Sequence, residues 1–167
     1  GEYYVIAEAL AEKTMNAGGV ASYEIVKTFK GEELEYVKTA HPFLDRESIV
    51  VNADYVTMES GTGCVHTAPG HGVEDFDVCK KYPELPIVVP VDHKGILTAE
   101  AGEFAGLSTD DANKAIAKRL EDDGTLFAIE KIVHQYPHCW RCKSPILFRA
   151  TEQWFCSVED FKDETIK

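Results

Sequence analysis

The glycine-rich stretch at residues 61–76 constrains the fold more than any other part of the chain. It places two histidines and a pair of carboxylates between a predicted strand and a predicted helix. Cys64 to Thr67 has the pattern of a short strand, and Val73 to Tyr82 has the spacing of a helix. Glycines permit positive φ and close backbone approach, and such junctions often carry functional sites. The pattern predicts that His66 and Asp75 face each other across the turn.

The same stretch, in the pattern GTGxVHTAPGHGxED, resembles the editing domain of isoleucyl-tRNA synthetases. The resemblance covers nearly the whole chain and is weaker before His41. Its further motifs are Leu85-Pro86, Pro90-Val91-Asp92, Phe104-Ala105-Gly106-Leu107, Ala112-Asn113, His134 to Cys142 and Arg149 to Phe155. It implies post-transfer editing, in which an aminoacyl-tRNA deacylase hydrolyses mischarged valyl-tRNA(Ile) within an isoleucine-tRNA ligase.

The predicted elements favour a β-rich mixed α/β fold with helices packed outside. A first helix is expected from Ala7 to about Met15, and the clearest one runs from a Ser108 cap to Asp123. Extended runs are predicted at residues 3–6, 23–29, 34–39, 48–52, 55–58, 86–91, 126–135 and 145–155, with the second and third forming a hairpin. The resemblance implies the closed β-barrel of valyl, isoleucyl and leucyl editing domains with peripheral helices. We expect residues 1–167 to form one editing domain, a fragment of a larger synthetase.

The net charge is −12, from 17 basic and 29 acidic residues, so the surface as a whole repels a polyanion. We therefore do not expect extensive tRNA binding by this chain alone. Residues 131–150 are the exception, because they contain no aspartate or glutamate. The candidate tRNA contacts in this run are Lys131, Arg141, Lys143 and Arg149. The simpler interpretation is that these charges only solvate a strand surface.

The cellular setting follows from what the sequence contains. No stretch approaches about 18 consecutive apolar residues, and no secretory signal is evident at the start. The five cysteines are an odd number and suit reduced thiols better than a disulfide framework. We expect a cytoplasmic, monomeric chain with no membrane contact.

Asp75 and His66 are the two catalytic candidates. The Asp75 carboxylate could simply stabilise the first turn of its helix through the helix dipole and the unpaired backbone N–H groups. The resemblance instead implies that it anchors the α-ammonium group of the substrate. Its neighbour Glu74 is expected to stay solvated. A lone histidine is usually satisfied by a backbone carbonyl, whereas the resemblance implies that His66 shapes the pocket for the substrate side chain, where valyl relatives have a lysine.

The substrate-binding candidates are Gly61, Thr62, Gly63 and Thr67, together with Asp75. The Gly61-Thr62-Gly63 turn either brings backbone groups near the terminal ribose of the tRNA or is a tight turn with no ligand. Thr67 follows His66 and points to the opposite face in a regular strand. Thr67 is therefore the weaker candidate.

Two other chemistries are open from the residues. His66, His71 and Asp75 could in principle supply a zinc site, although their spacing is not that of a helix face. Cys64 could act as a nucleophile beside His66, although nothing positions a thiolate and a buried Cys64 is favoured.

Cys139 and Cys142 form one C-x-x-C pair, which is half of a tetrahedral zinc site. We expect no metal and no cofactor in this fragment. The resemblance implies that zinc is possible in the full-length enzyme, where a second pair lies upstream of the editing insertion.

The chain lacks the His-x-Gly-His and Lys-Met-Ser-Lys-Ser signatures of a class I synthetic core, so ATP and Mg are used only by that absent core. It also lacks the threonine-rich segment that precedes the editing strands in the family, and we expect weak or no hydrolysis by the fragment alone. The implied partners are the 3′ end of tRNA(Ile) carrying valine and the remainder of the synthetase in cis. The alternatives are a noncatalytic module that docks tRNA or the core, and the editing domain of a valyl- or leucyl-type enzyme.

Overall fold

The computed structural model of the chain describes residues 1–159 and 161–166. Short helices alternate with long extended segments. In chain order the elements are a 3₁₀ helix Glu8–Leu10, α1 Ala11–Ala17, a 3₁₀ helix Gly31–Leu34, β1 Lys38–Ala40, β2 Glu47–Ile49, α2 Val73–Cys79, a 3₁₀ helix Ala99–Phe104, α3 Thr109–Asp122 and α4 Lys162–Thr165. The prediction of one domain over residues 1–167 stays a prediction, and residues 160 and 167 lie outside the described part.

Strands β1 and β2 form an antiparallel hairpin in which Thr39 lies opposite Ser48. The connection between them is ordered by His41, whose Nδ1 accepts a hydrogen bond from the backbone N–H of Leu44 at 3.1 Å. The predicted hairpin between residues 23–29 and 34–39 is therefore wrong. The partner of the second run is β2, and Gly31–Leu34, where the turn of the predicted hairpin would lie, form a 3₁₀ helix.

The predicted closed β-barrel is also wrong, because the sheet in the described residues has two strands, β1 and β2. A closed barrel requires every strand to pair along both edges. The runs expected at residues 64–67, 86–91, 126–135 and 145–155 form no ladder. Two of them contribute one residue each to an isolated bridge, Val91 with Leu97 and Pro145 with His138. In the run at residues 86–91, Pro86 and Pro90 lack the N–H donor that a continuous ladder would need.

Helix α3 confirms the prediction made from its caps. Ser108 is the N-cap, and its Oγ accepts a hydrogen bond from the backbone N–H of Asp111 at 3.2 Å. Gly124 follows the helix with φ of 70°, a left-handed conformation that glycine adopts without strain. The other two predicted helices are present with shifted bounds. The first begins as a 3₁₀ turn and ends at Ala17, and the second ends at Cys79 rather than Tyr82.

The buried core is small, and the chain exposes an unusually large surface. The buried apolar side chains include Leu10, Met15, Val78, Tyr82 and Phe104. The accessible surface is 13482 Å², whereas a compact monomer of this mass exposes about 8,200 Å². None of the helices described between residues 1 and 166 has both the length and the apolar character needed to cross a bilayer.

Candidate functional site

The glycine-rich segment, defined here as residues 61–72, is fixed at its start by the N-terminal part of the chain. The backbone N–H of Ala7 donates to the carbonyl oxygen of Thr62 at 2.8 Å, and Thr14 Oγ1 donates to that of Gly61 at 3.3 Å. Gly63 lies so close to this region that a Cβ at its position would be 2.5 Å from the Cβ of Ala7. The Gly61-Thr62-Gly63 turn is therefore held by packing against the residues around α1.

The end of the glycine-rich segment is fixed by the C-terminal part of the chain. The backbone N–H of Ala150 donates to the carbonyl oxygen of Gly70 at 2.8 Å. His71 Nδ1 lies 2.9 Å from the carbonyl oxygen of Phe148, so this nitrogen carries the proton of the bond. A Cβ at Gly70 would overlap the carbonyl oxygen of Val88. Both ends of the segment are thus positioned by residues distant in sequence.

Asp75 belongs to the first turn of α2, which has Gly72 as its N-cap. Its carboxylate does not cap this helix but turns back to the glycine-rich segment. Oδ2 accepts a hydrogen bond from the backbone N–H of Ala68 at 3.1 Å, and Oδ1 accepts one from the hydroxyl of Tyr55 at 2.6 Å. A Cβ at Gly72 would lie 2.6 Å from Oδ2. The adjacent Glu74 is exposed, as predicted.

Tyr55 connects Asp75 to Thr67, whose Oγ1 lies 3.1 Å from the tyrosine hydroxyl. The expected strand alternation does not apply to Thr67, because residues 64–68 form no regular strand. Burial raises the pKa of Tyr55, and the hydrogen bond to Asp75 raises it further. Sequence reasoning missed Tyr55, since it lies outside every motif and is distant from Asp75 along the chain.

His66 is exposed, and its ring faces that of His41 with a centroid separation of 6.5 Å. Within the described part of the chain, no hydrogen bond joins His66 to Asp75, so the structure does not bring these two candidates into direct contact. Burial lowers the pKa of His41, and the nearby Arg46 and His66 lower it further. His41 is therefore the second imidazole of this region, and it had not been expected there.

A cavity of about 1520 Å³ lies beside the glycine-rich segment. Its lining includes residues 46–53 and 63–69. His66, Thr67 and Ala68 belong to this wall, whereas Asp75 does not line the cavity itself. Since Ala68 donates to the Asp75 carboxylate, the charge of that carboxylate lies immediately behind the wall.

The alternative chemistries find little support in the geometry. The expectation of a buried Cys64 is wrong, because this residue is exposed and its Sγ lies 3.7 Å from the carbonyl oxygen of Val5. Within the described residues, no group of three or more histidine, cysteine, aspartate or glutamate side chains could hold a metal ion. His66, His71 and Asp75 therefore do not assemble a zinc site there.

Cys139 and Cys142 form a tight knuckle. The backbone N–H of Cys139 donates to the carbonyl oxygen of Ser144 at 2.8 Å, and that of Lys143 donates to the carbonyl of Cys139 at 2.9 Å. Hydrogen bonds from the backbone and side chain of Ser144 lower the pKa of the Cys142 thiol, and Cys139 lowers it further. Two thiols supply half of the four ligands that a structural zinc requires, so this pair alone does not fit the ion.

The predicted tRNA contacts lie in the exposed C-terminal part of the chain. The guanidinium of Arg141 stacks over the ring of Trp140, 5.1 Å from its centroid. Arg149 Nε donates to the carbonyl oxygen of Val91 at 2.8 Å, so one edge of this guanidinium already binds the protein. Lys131 and Lys143 are exposed.

Comparison with known proteins connects this geometry to a family. The family model described as "Leucyl-tRNA synthetase, editing domain" matches residues 8–121, which include the glycine-rich segment, Tyr55 and Asp75. The chain belongs to this family of synthetase editing domains. Among curated proteins, the isoleucine–tRNA ligase of Caldicellulosiruptor bescii is 58% identical over 166 residues, which are 99% of this chain and 18% of that protein. The isoleucine–tRNA ligase of Carboxydothermus hydrogenoformans is 57% identical over 98% of this chain and 18% of its own length.

A third isoleucine–tRNA ligase, from Moorella thermoacetica, is 51% identical over 99% of the chain and 18% of its own length. These matches confirm the recognition of an editing domain of the isoleucyl-tRNA synthetase type. The editing domain spans less than a fifth of the length of these curated relatives.

Proposed function

We propose that this editing domain hydrolyses the ester of valine wrongly joined to tRNA(Ile), as part of an isoleucine-tRNA ligase. The observation that carries the proposal is the Asp75 carboxylate. It is held by two hydrogen-bond donors from other segments, Tyr55 and Ala68, and no cationic side chain of the described residues pairs with it. A fixed carboxylate without a cation is suited to binding the cation of a ligand.

Asp75 would bind the α-ammonium group of the aminoacyl ester. Each carboxylate oxygen accepts one hydrogen bond in the structure and has a second acceptor site. A hydrogen bond between an ammonium and a carboxylate is about twice as strong as one between neutral groups. This interaction would place the ester beside the wall formed by Thr67 and Ala68, which lines the cavity.

Hydrolysis then requires water to attack the ester carbonyl. The water oxygen bonds to the carbonyl carbon, the bond from that carbon to the ribose oxygen breaks, and the ribose oxygen takes up a proton. The products are valine and uncharged tRNA. We assign activation of the water to groups of the site or to the neighbouring ribose hydroxyl, because a substrate held in place supplies its own reactive groups at high effective concentration.

His66 and its neighbours would select the side chain. His66 lines the cavity and is exposed, so it can contact a substrate there. One methylene in an apolar pocket changes binding by only about 1–3 kcal/mol, a limit for which isoleucine-tRNA ligases are themselves the usual illustration. A smaller hydrolytic pocket that admits valine and excludes isoleucine removes the errors that remain.

The tRNA would contact the C-terminal part of the editing domain. Lys131, Arg141, Lys143 and Arg149 supply positive charge where the chain has no aspartate or glutamate over residues 131–150. The same part exposes large apolar side chains, among them Val133 at 103% and Trp154 at 103% of their reference areas. Exposed apolar surface of this kind is typical of contact surfaces, which supports docking of the rest of the synthetase in cis.

The proposal is tested in the full-length ligase by comparing Asp75→Ala with Asp77→Ala. Asp77 lies on the same helix but is exposed and pairs with Lys80 at 2.6 Å, so it controls for loss of an α2 carboxylate. We expect Asp75→Ala to abolish deacylation of valyl-tRNA(Ile) while isoleucine activation is unchanged, and Asp77→Ala to retain both. Deacylation that survives in Asp75→Ala would remove this residue from the mechanism.

A noncatalytic docking module would behave differently in the same experiment. The wild-type ligase would then deacylate no mischarged tRNA, while charge reversal at Arg141 and Lys143 would reduce a salt-sensitive tRNA affinity. Their exposure makes both positions suitable for this comparison.

A further inference from the structure

The hydroxyl of Tyr55 occupies the centre of a hydrogen-bonded chain that begins at the cavity wall and ends at Asp75. It lies 2.6 Å from Asp75 Oδ1 and 3.1 Å from Thr67 Oγ1. The three side chains belong to different parts of the sequence, and all are partly buried. Only Thr67 among them lines the cavity.

The direction of the protons in this chain follows from the chemistry of its ends. An ionised carboxylate can only accept hydrogen bonds, so the single phenolic proton of Tyr55 points to Asp75. The hydroxyl of Thr67 must then donate to the oxygen of Tyr55. With its proton committed in this way, Thr67 Oγ1 can offer only lone pairs to a ligand in the cavity.

Two observations show how the Tyr55 hydroxyl orients the Asp75 carboxylate. Burial raises its pKa, and the charge of Asp75 raises it further, so the phenol keeps its proton under physiological conditions. The second oxygen of Asp75 is fixed by the backbone N–H of Ala68. Tyr55 therefore determines which rotation of the Asp75 carboxylate is held and which lone pairs remain for a ligand.

We propose that Tyr55 is a positioning residue for the editing reaction: it orients the Asp75 carboxylate and makes Thr67 an acceptor, so that both groups recognise the α-ammonium of the mischarged amino acid. This inference rests on the proposed function of Asp75. Tyr55 acts through Asp75 and Thr67 and does not touch the reacting ester.

The variant Tyr55→Phe removes one oxygen atom and leaves the ring in place. Tyr82→Phe is the matched control, because the hydroxyl of Tyr82 also donates to a carboxylate, that of Glu35, at 2.6 Å. In the full-length ligase we expect Tyr55→Phe to raise KM for valyl-tRNA(Ile) about tenfold with a smaller change in kcat, as for loss of one charge-assisted hydrogen bond. Tyr82→Phe should leave KM unchanged.

A double-mutant cycle separates positioning from a structural effect. The readout of the cycle is the Kd of a nonhydrolysable valyl-adenosine analogue, which can be measured when hydrolysis is abolished. When Asp75→Asn is already present, Tyr55→Phe should produce no further change in this Kd, because the carboxylate that it orients is gone. An equal loss of affinity in both backgrounds would overturn the inference, as would an unchanged KM in Tyr55→Phe. Lower stability does not obscure this result, since partial unfolding would reduce affinity whether or not Asp75 is present.

The proposed function and this inference fail in distinguishable ways. If the wild-type ligase deacylates no mischarged tRNA, the proposed function fails and the role of Tyr55 fails with it. If the wild type deacylates valyl-tRNA(Ile), requires Asp75 and is unaffected by Tyr55→Phe, only the role of Tyr55 is overturned.

Discussion

Replacing Gly72 by alanine should displace the Asp75 carboxylate without touching any ligand. Gly72 has φ of −138° and ψ of 140°, an extended conformation that alanine adopts without strain. The added Cβ would lie 2.6 Å from Asp75 Oδ2 and 2.9 Å from its Cγ. Since real Cβ atoms do not approach this closely, the carboxylate must rotate away from the hydrogen-bond donors Ala68 and Tyr55.

The expected magnitude follows from two opposing terms. Loss of one hydrogen bond to a charged group costs about 1.5–3 kcal/mol. Replacing glycine by alanine at a compatible position stabilises by about 0.4–1 kcal/mol, because the unfolded chain loses conformational freedom. The free energy of unfolding should therefore fall by about 0.5–2.6 kcal/mol in Gly72→Ala. When Asp75→Ala is also present, the collision is removed, and Gly72→Ala should instead stabilise by about 0.4–1 kcal/mol.

The assay is urea unfolding of the four members of this cycle, including the wild-type chain, with the midpoint and slope fitted for each. Gly31→Ala serves as a control, because a Cβ there would meet only Asn52 Oδ1 at 3.7 Å, an ordinary contact. A change of sign between the two backgrounds is the expected result. Equal effects of Gly72→Ala with and without Asp75, within about 0.5 kcal/mol, would refute the geometry on which the site is built.

Three further outcomes are expected from the structure. Burial lowers the pKa of His41, so the unfolded chain binds a proton at this histidine before the folded chain does as the pH falls below about 6.5. The free energy of unfolding should therefore decrease there. Thermal unfolding of His41→Gln should show a weaker dependence on pH. Ser108→Ala removes the N-cap of α3 and should cost about 1 kcal/mol in urea unfolding. Gly70→Ala should destabilise more than Gly72→Ala and should not be rescued by Asp75→Ala, because its Cβ meets a backbone carbonyl that cannot rotate away.

Local signals predicted the helices well. Ser108 is the N-cap of α3, and Gly124 follows the end of this helix, as expected. Both residues are next to the helix in sequence, so the prediction needed no information about distant segments. The strand prediction failed where pairing depends on partners distant in sequence. Residues 34–39 contain the start of β1, but nothing in their pattern distinguishes a partner at residues 23–29 from the true partner, β2.

The candidate site shows the same division between local and distant information. The pattern predicted Asp75 as a site residue, which stays a prediction, and the structure places its carboxylate beside the glycine-rich segment. The expected faces of His66 and Thr67 depended on a regular strand. No regular strand forms there, in a stretch that contains Gly63, Pro69 and Gly70. Tyr55 could not be found from spacing, because its contact with Asp75 arises only when two separate parts of the chain fold together.

Close packing accounts for three of the four glycines in this motif, whereas Gly61 has open space where a Cβ would lie and a φ of 71°, a left-handed conformation that favours glycine. A Cβ at Gly63 would collide with Ala7, one at Gly70 with the carbonyl oxygen of Val88, and one at Gly72 with Asp75. Each glycine thus permits a close contact with a different segment, and only the contact at Gly72 involves the proposed ligand-binding carboxylate. The three positions should therefore differ under substitution: changes at residues 63 and 70 act on how the segment is held, whereas a change at residue 72 acts directly on the orientation of the Asp75 carboxylate.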